Sequence, residues 1–126
     1  MIDRVQWSGT CTGADASGAV TAYSPHVAGK ILAVAIGYVG DDPNTTDVLL
    51  ADENDPLAES IVTLANAATD VKLYPRRAIV TNANAAITYD NTRPVYDYYV
   101  VFGRLKLTVA QANTDDVITC TVWIEE

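Results

Sequence analysis

Apolar and polar residues alternate with a period of two along most of the chain, in short runs separated by residues typical of turns. The clearest run covers residues 30–40, with large apolar residues on one face and small ones on the other, and a similar run covers residues 117–125. This pattern predicts strands whose apolar face meets a core, and no stretch of a dozen residues has the periodicity of an amphipathic helix. The other predicted strands cover residues 4–12, 19–23, 46–51, 60–64, 71–74, 77–81, 95–102 and 104–110.

Many short strands separated by Gly, Pro, Asn and Asp favour an antiparallel, all-β domain of the β-sandwich or jelly-roll kind. A chain of 126 residues is long enough for one hydrophobic core. We therefore predict one domain overall. Within it, residues 29–126 form the β-sandwich, and residues 1–28 form an N-terminal segment with one or two strands that is a candidate arm for contacting a partner.

The predicted strand at residues 95–102 is apolar or aromatic on both faces, and the sequence offers no amphipathic helix to cover its outer face. Another subunit is the expected cover, because an exposed apolar edge strand otherwise promotes aggregation. We expect a homo-oligomer, with Tyr99 and Val101 at its interface.

Charge and hydropathy exclude two classes of partner. The net charge is −8 and the pI is near 4.3, and the eight basic residues occur singly or as one pair, so direct binding of nucleic acid is disfavoured. The longest apolar run, residues 31–39, is too short to span a bilayer, and the first residues have no signal-peptide layout. The expectation is a soluble protein without a membrane partner.

Catalytic signatures are lacking. His26 is the one histidine and lies beside Pro25, which indicates a surface or turn residue, and no nucleophile elbow, phosphate loop or dinucleotide fingerprint occurs. Nearly all the carboxylates occur in turns, where Asp and Asn complete the backbone. We expect no enzymatic activity and no cofactor.

Two weaker patterns concern metals and cysteines. Asp42, Asn44, Thr46 and Glu53 occupy positions one, three, five and twelve of a calcium-loop frame, but Asp47 replaces its glycine, so the prediction is two polar turns around a strand and no metal. Cys11 and Cys120 fall on apolar sides of strands and are interpreted as buried core residues. A disulfide between paired terminal strands is the alternative.

Arg76 and Arg77 follow a short strand in a chain that has few positive charges. Guanidinium groups pair well with carboxylates across interfaces. The pair is therefore either an exposed basic turn or a contact to another subunit or partner, and both arginines are candidate interface residues.

Several segments taken together resemble the small head proteins of tailed bacteriophages, of the decoration or cement type. They are Gly29-Lys-Ile-Leu-Ala-Val-Ala-Ile-Gly-Tyr38, Ala68-Thr-Asp70 leading to Tyr74-Pro-Arg76, Ala85-Ala-Ile-Thr-Tyr-Asp-Asn-Thr-Arg93, and Leu105-Lys-Leu-Thr-Val-Ala-Gln-Ala112. The resemblance extends from Gly29 onward and concerns framework strands and turns.

This resemblance implies a β-sandwich protomer that assembles as a homotrimer, binds the major capsid protein on the outside of the capsid and stabilises the particle. The implied location is the virion, with assembly in the host cytoplasm. The alternative is a non-catalytic β-sandwich binding module, such as a host-attachment or carbohydrate-binding virion protein.

Overall fold

The computed structural model describes all residues from Met1 to Glu126 and contains nine strands and no helix. No element therefore has the length and apolar character of a membrane-crossing helix. The strands are β1 (Ile2–Thr10), β2 (Gly18–Val39), β3 (Asp47–Asp52), β4 (Ser60–Leu64), β5 (Val71–Leu73), β6 (Arg76–Ala78), β7 (Tyr96–Tyr98), β8 (Val100–Ala112) and β9 (Val117–Glu125).

All strand pairs are antiparallel, and the fold is a β-sandwich, as the sequence pattern predicted. The strand order of the main sheet is β1-β9-β2-β8-β3-β4, and β5 pairs with β2. The first part of β2 pairs with β8 and its last part pairs with β9, so this one strand belongs to both layers. We call the layer of β1, β9, β5 and the end of β2 the first layer, and the layer of β8, β3, β4 and the start of β2 the second.

The core lies between the layers and consists of the inward residues of the alternating strands. In β9 the alternation is as predicted, with Ile118, Cys120, Val122 and Ile124 buried. In β8 the buried positions are every second residue from Val101 to Val109, followed by Ala112. The largest fully buried side chains are Ile31, Ile36, Leu50, Leu105, Leu107, Ile118 and Ile124.

Residues 19–23 and 30–40 form one long strand, and the predicted break between them is wrong. The Ser24-Pro25 pair lies at a register shift between Tyr23 and His26, where β2 bends without ending. The buried Ser24 hydroxyl accepts a hydrogen bond from the Leu105 amide (2.8 Å), which satisfies a donor of β8 at the irregularity. A second shift between Ile31 and Ala33 makes Ile31 the buried residue there, and Leu32, expected to face the core, is only half-buried.

Residues 1–28 are integrated into the sandwich. β1 pairs with β9 along its whole length, from Ile2 opposite Glu125 to Thr10 opposite Val117. The division proposed at residue 28 falls inside β2, and residues 18–28 pair with β8. Both parts of the chain therefore contribute to the same folded unit.

Residues 76–98 form a small lobe made of β6, β7 and the long loop between them. β6 and β7 form their own two-stranded sheet, with Arg76 opposite Tyr98 and Ala78 opposite Tyr96. The loop is closed by isolated bridges, Val80 with Ala86 and Thr88 with Pro94. The predicted strands at residues 77–81 and 95–102 are thus shorter than expected, and the second is divided between β7 and the start of β8.

Candidate interaction surface

Arg76 and Arg77 begin the lobe, and their side chains make different contacts. The Arg76 guanidinium lies 4.0 Å from the centre of the Tyr98 ring, and its Nη1 donates to the carbonyl oxygens of Leu32 (3.2 Å) and Pro75 (2.7 Å). Arg77 Nη2 donates to Glu59 Oε2 at 3.1 Å in a partly exposed salt bridge. Arg76 therefore anchors the lobe to β2, and Arg77 is the more accessible of the two.

Tyr99 and Val101 do not lie on the outer face of their strand, where the sequence analysis placed them. Val101 is only 3 % exposed and belongs to the core, and the half-buried Tyr99 packs against that core and donates its hydroxyl to the Ser60 carbonyl oxygen at 3.3 Å. Burial is the main cause that raises the pKa of Tyr99, and the nearby Glu59 carboxylate raises it further. These two side chains stabilise the protomer itself.

The outward positions of β8 are the neighbouring residues Val100 and Phe102, which are 72 % and 70 % exposed. Leu57, in the turn between β3 and β4, is 88 % exposed and lines the same shallow cleft as Val100. The edge of the exposed His26 ring packs against Phe102, with ring centres 4.9 Å apart. We call Leu57, Val100 and Phe102 the apolar edge patch.

Polar groups surround this patch. The cleft beside Val100 has a volume of about 330 Å³ and is lined by Asp55, Glu59 and Arg77 as well as by Tyr98 and Tyr99. Amide groups of Leu57 and Glu59 donate to the Asp55 carboxylate, and these hydrogen bonds lower the pKa of Asp55. An apolar centre with a charged, hydrogen-bonded rim is the usual anatomy of a protein interface.

The register of β8 could have been extended from its well-marked part. Leu105, Leu107 and Val109 alternate as buried residues, and continuing that alternation backwards across Gly103 places Val101 inside and Phe102 outside. Residues 95–102 taken as a separate strand do not carry this phase, which is why Tyr99 and Val101 were predicted to face outward. Leu57 has no such signal, because it lies in a turn.

The calcium-loop frame does not form a loop. Asp47–Asp52 is strand β3, and Glu53 makes a two-pronged ion pair with Arg104, with Nε and Nη2 at 2.7 and 2.6 Å from its oxygens. The buried Thr46 donates its hydroxyl to the Pro43 carbonyl oxygen. No cluster of three or more His, Cys, Asp or Glu side chains has the arrangement of a metal site.

Asp42, the first residue of that frame, instead lies against the buried Asp116. Both carboxylate oxygens of Asp42 are shielded from solvent and lack a hydrogen-bond partner among the other residues, whereas Asp116 accepts from the amides of Asp41 and Asn113. Burial first, and then the charge of Asp116, raise the pKa of Asp42 to about 6. This carboxylate pair closes one end of the sandwich.

Cys11 and Cys120 are fully buried and unpaired. Burial raises the pKa of Cys120 to about 12, and burial together with the charges of Asp116 and Asp42 raises that of Cys11. Both are therefore neutral core side chains, as the sequence pattern indicated.

Comparison with known proteins adds information on the fold. No family model and no curated protein matches the chain. Among solved structures, the crystal structure of FLHE is similar over 99 % of this chain and 98 % of that one, with 14 % identity and a TM-score of 0.52.

Two further solved structures are more distant. The family 32 CBM from C. perfringens NanJ in complex with galactose is 11 % identical over 95 % of this chain and 93 % of that one, with a TM-score of 0.47. The acidic stable capsid structure of Helicobacter pylori bacteriophage KHP30 is 16 % identical over 99 % of this chain and 94 % of that one, with a TM-score of 0.41. At these identities the likeness concerns the β-sandwich fold.

Proposed function

We propose that this protein is a non-enzymatic virion structural protein of the head decoration or cement class, which binds the outside of a capsid and stabilises it. The observation that carries the proposal is the apolar edge patch, in which Leu57, Val100 and Phe102 lie in solvent although the core is complete without them. The resemblance of the chain from Gly29 onward to phage head proteins supplies the class of partner.

The patch has the composition of a docking surface and not of a catalytic one. Its central side chains are hydrocarbon, and two of the charged groups that line the cleft beside Val100, Glu59 and Arg77, pair with each other. Contact with a capsid protein or with further copies in a trimer would remove this apolar area from water, which is the main favourable contribution in most protein associations.

Substitution of the outward residues tests the proposal. Phe102→Asp and Val100→Asp should prevent binding to purified capsids that lack the protein, and should convert a trimer to monomers if the patch joins subunits. Capsid co-sedimentation and analytical ultracentrifugation measure the two effects separately. Val39→Asp is the matched control, because Val39 is also a largely exposed valine but lies at the end of β2, whereas the patch residues of β8 pair with Ala28 and Lys30 inside it.

Salt dependence distinguishes apolar from ionic attachment. Binding should persist between about 0.1 M and about 1 M sodium chloride, across which the Debye length falls from roughly 10 to 3 Å. Arg77→Ala should weaken binding only modestly, because exposed charge pairs contribute little. Release from the capsid at high salt, or full binding by Phe102→Asp, would contradict the proposal.

A further inference from the structure

The outer face of the first layer carries a trough whose shape follows from strand register. Reading across the layer, Gln6 of β1 lies opposite Thr121 of β9, Thr121 opposite Ala35 of β2, and Ala35 opposite Lys72 of β5. Long side chains thus stand on the two outer strands, and short ones lie on the two central strands.

The next row deepens the trough. Gly37 lies opposite Thr119, which lies opposite Ser8, so the floor again has little side-chain volume. A Cβ atom built on Gly37 would meet nothing closer than the carbonyl oxygen and the Cβ of Thr119, at 3.9 and 4.0 Å. The resulting open cavity has a volume of about 450 Å³, within the usual size range of small-molecule sites.

One cation and one anion line this trough. The ammonium group of Lys72 lies 4.4 Å from the centre of the Trp123 ring and 5.7 Å from that of Tyr74, and it forms no salt bridge. Contact with two aromatic rings fixes the position of a side chain that is otherwise flexible. Asp70 accepts a hydrogen bond from the Tyr38 amide through Oδ1 (2.8 Å), which fixes its carboxylate while leaving Oδ2 available.

The chemistry of the lining excludes most ligand classes. A polyanion is repelled by a chain of net charge −8, and a single carboxylate is too few for a metal ion. An extended peptide binds by pairing with a free strand edge, whereas this floor is formed by central strands whose backbone groups are already paired. An apolar ligand would leave Gln6, Thr119 and Thr121 without hydrogen-bond partners.

We propose that the trough binds a neutral saccharide. Sugar hydroxyl groups both donate and accept, which matches a lining of one fixed cation, one fixed anion, an amide and two threonine hydroxyls. The lining has no net charge, unlike the rest of the surface, and therefore favours an uncharged ligand. This inference is independent of the proposed capsid attachment, since the trough contains no residue of the apolar edge patch.

Filling the trough is the sharpest test. Gly37→Leu places a side chain on the floor without a backbone clash, because the space above Gly37 is open. Binding of the full chain is measured by a glycan array and then by isothermal titration calorimetry, with neutral oligosaccharides of glucose, galactose, mannose and N-acetylglucosamine, and with sialyllactose as an acidic counterpart. The wild-type protein should bind at least one neutral oligosaccharide, and Gly37→Leu should weaken it about tenfold or more.

Two further variants locate the effect. Lys72→Met keeps the length of the side chain but removes its charge, and should also weaken binding about tenfold. Thr21→Leu places the same leucine side chain at an exposed position of the same strand in the second layer, and should bind like the wild type. Melting curves establish that each variant is folded.

The inference is overturned if no neutral oligosaccharide binds at millimolar concentration, if sialyllactose binds best, or if Gly37→Leu binds as well as the wild type. Capsid binding is measured for the same variants. Gly37→Leu should still bind capsids, whereas Phe102→Asp should lose capsid binding and keep saccharide binding. Failure of one proposal is therefore distinguishable from failure of the other.

Discussion

The sandwich and the lobe of residues 76–98 are stabilised in different ways, although they are joined in one chain. Between the layers of the sandwich, 18 buried residues form a continuous core. In the lobe no residue is buried, and Val80, Tyr89 and Tyr96 are largely exposed. The sandwich therefore owes its stability to apolar burial, and the lobe must rely on other contacts.

Backbone hydrogen bonds are the main contacts inside the lobe. The Ile79 amide donates to Val95, the Val95 amide to Ile87 and the Ile87 amide to Ile79, so three segments are linked in a closed ring. Arg76 and Arg77 then connect the lobe to the sandwich. Because exposed hydrogen bonds contribute little net free energy, we infer that the lobe opens locally at a lower free-energy cost than global unfolding.

The largest expected difference between the two regions is the effect of removing an apolar side chain. Leu107→Ala should lower the free energy of unfolding by about 2–5 kcal/mol, because it leaves a cavity in the core. Val80→Ala in the lobe should change it by less than about 0.5 kcal/mol. Chemical denaturation measures both changes. Equal losses of unfolding free energy would show that Val80 is as important to packing as Leu107, contrary to its exposure in the structure.

The pH dependence of the free energy of unfolding should reveal a contribution from Asp42, which belongs to the sandwich and not to the lobe. Its pKa is raised from 3.8 to about 6 in the folded protein, so the folded state binds a proton more tightly than the unfolded state does. Asp42 therefore adds to the free energy of unfolding at pH 4. This contribution, on the order of 1 kcal/mol, is lost as the pH rises through about 6.

Asp42→Asn is the control for this titration. An amide cannot ionise, so the variant should not show this loss of stability when compared with the wild type over the same pH range. Amide exchange within the lobe should follow the same pH course in both proteins. A wild-type protein whose stability rises across this range as much as that of the variant would contradict a raised pKa of Asp42.

Loss of the Arg76 side chain should have only a small effect on global stability. Arg76→Ala removes the hydrogen bond to Leu32 and the contact with Tyr98, and should cost less than about 1 kcal/mol in denaturant unfolding. Hydrogen exchange at Ile79, Ile87 and Val95 should nevertheless become faster, while exchange in β9 stays unchanged. Arg76→Lys, which keeps the charge without the planar fork, should restore only part of the protection.

The sandwich was largely predictable from the sequence, and the lobe was not. Alternation identifies a strand when one face is buried, as in β9, where every second residue is in the core. The lobe lacks a buried face, so its two short strands leave only a weak pattern, and residues 96–99, three of which are tyrosines, were predicted as part of a longer strand. Local pattern also cannot show that β2 continues through Pro25, because a tertiary contact between Ser24 and Leu105 supports the irregularity.

The arginine pair was partly predictable from the sequence, and the trough of the first layer was not. Arg76 and Arg77 stood out in the sequence because positive charge is scarce, but their partners, Leu32 and Glu59, are distant along the chain. The trough could not be predicted, since it depends on which strands are neighbours: only the register of β1, β9, β2 and β5 brings Gln6 and Lys72 to opposite sides of small residues.

The passage of β2 through both layers has a mechanical consequence. A force that slides one layer over the other along β2 shears the ladder of β2 with β8 or its ladder with β9, and the hydrogen bonds within one ladder must break together. The same number of bonds arranged in a simple hairpin would be peeled apart one after another. The domain would thus resist shear along the direction of β2 more strongly than peeling at its outer strand β4, which pairs with a single neighbour.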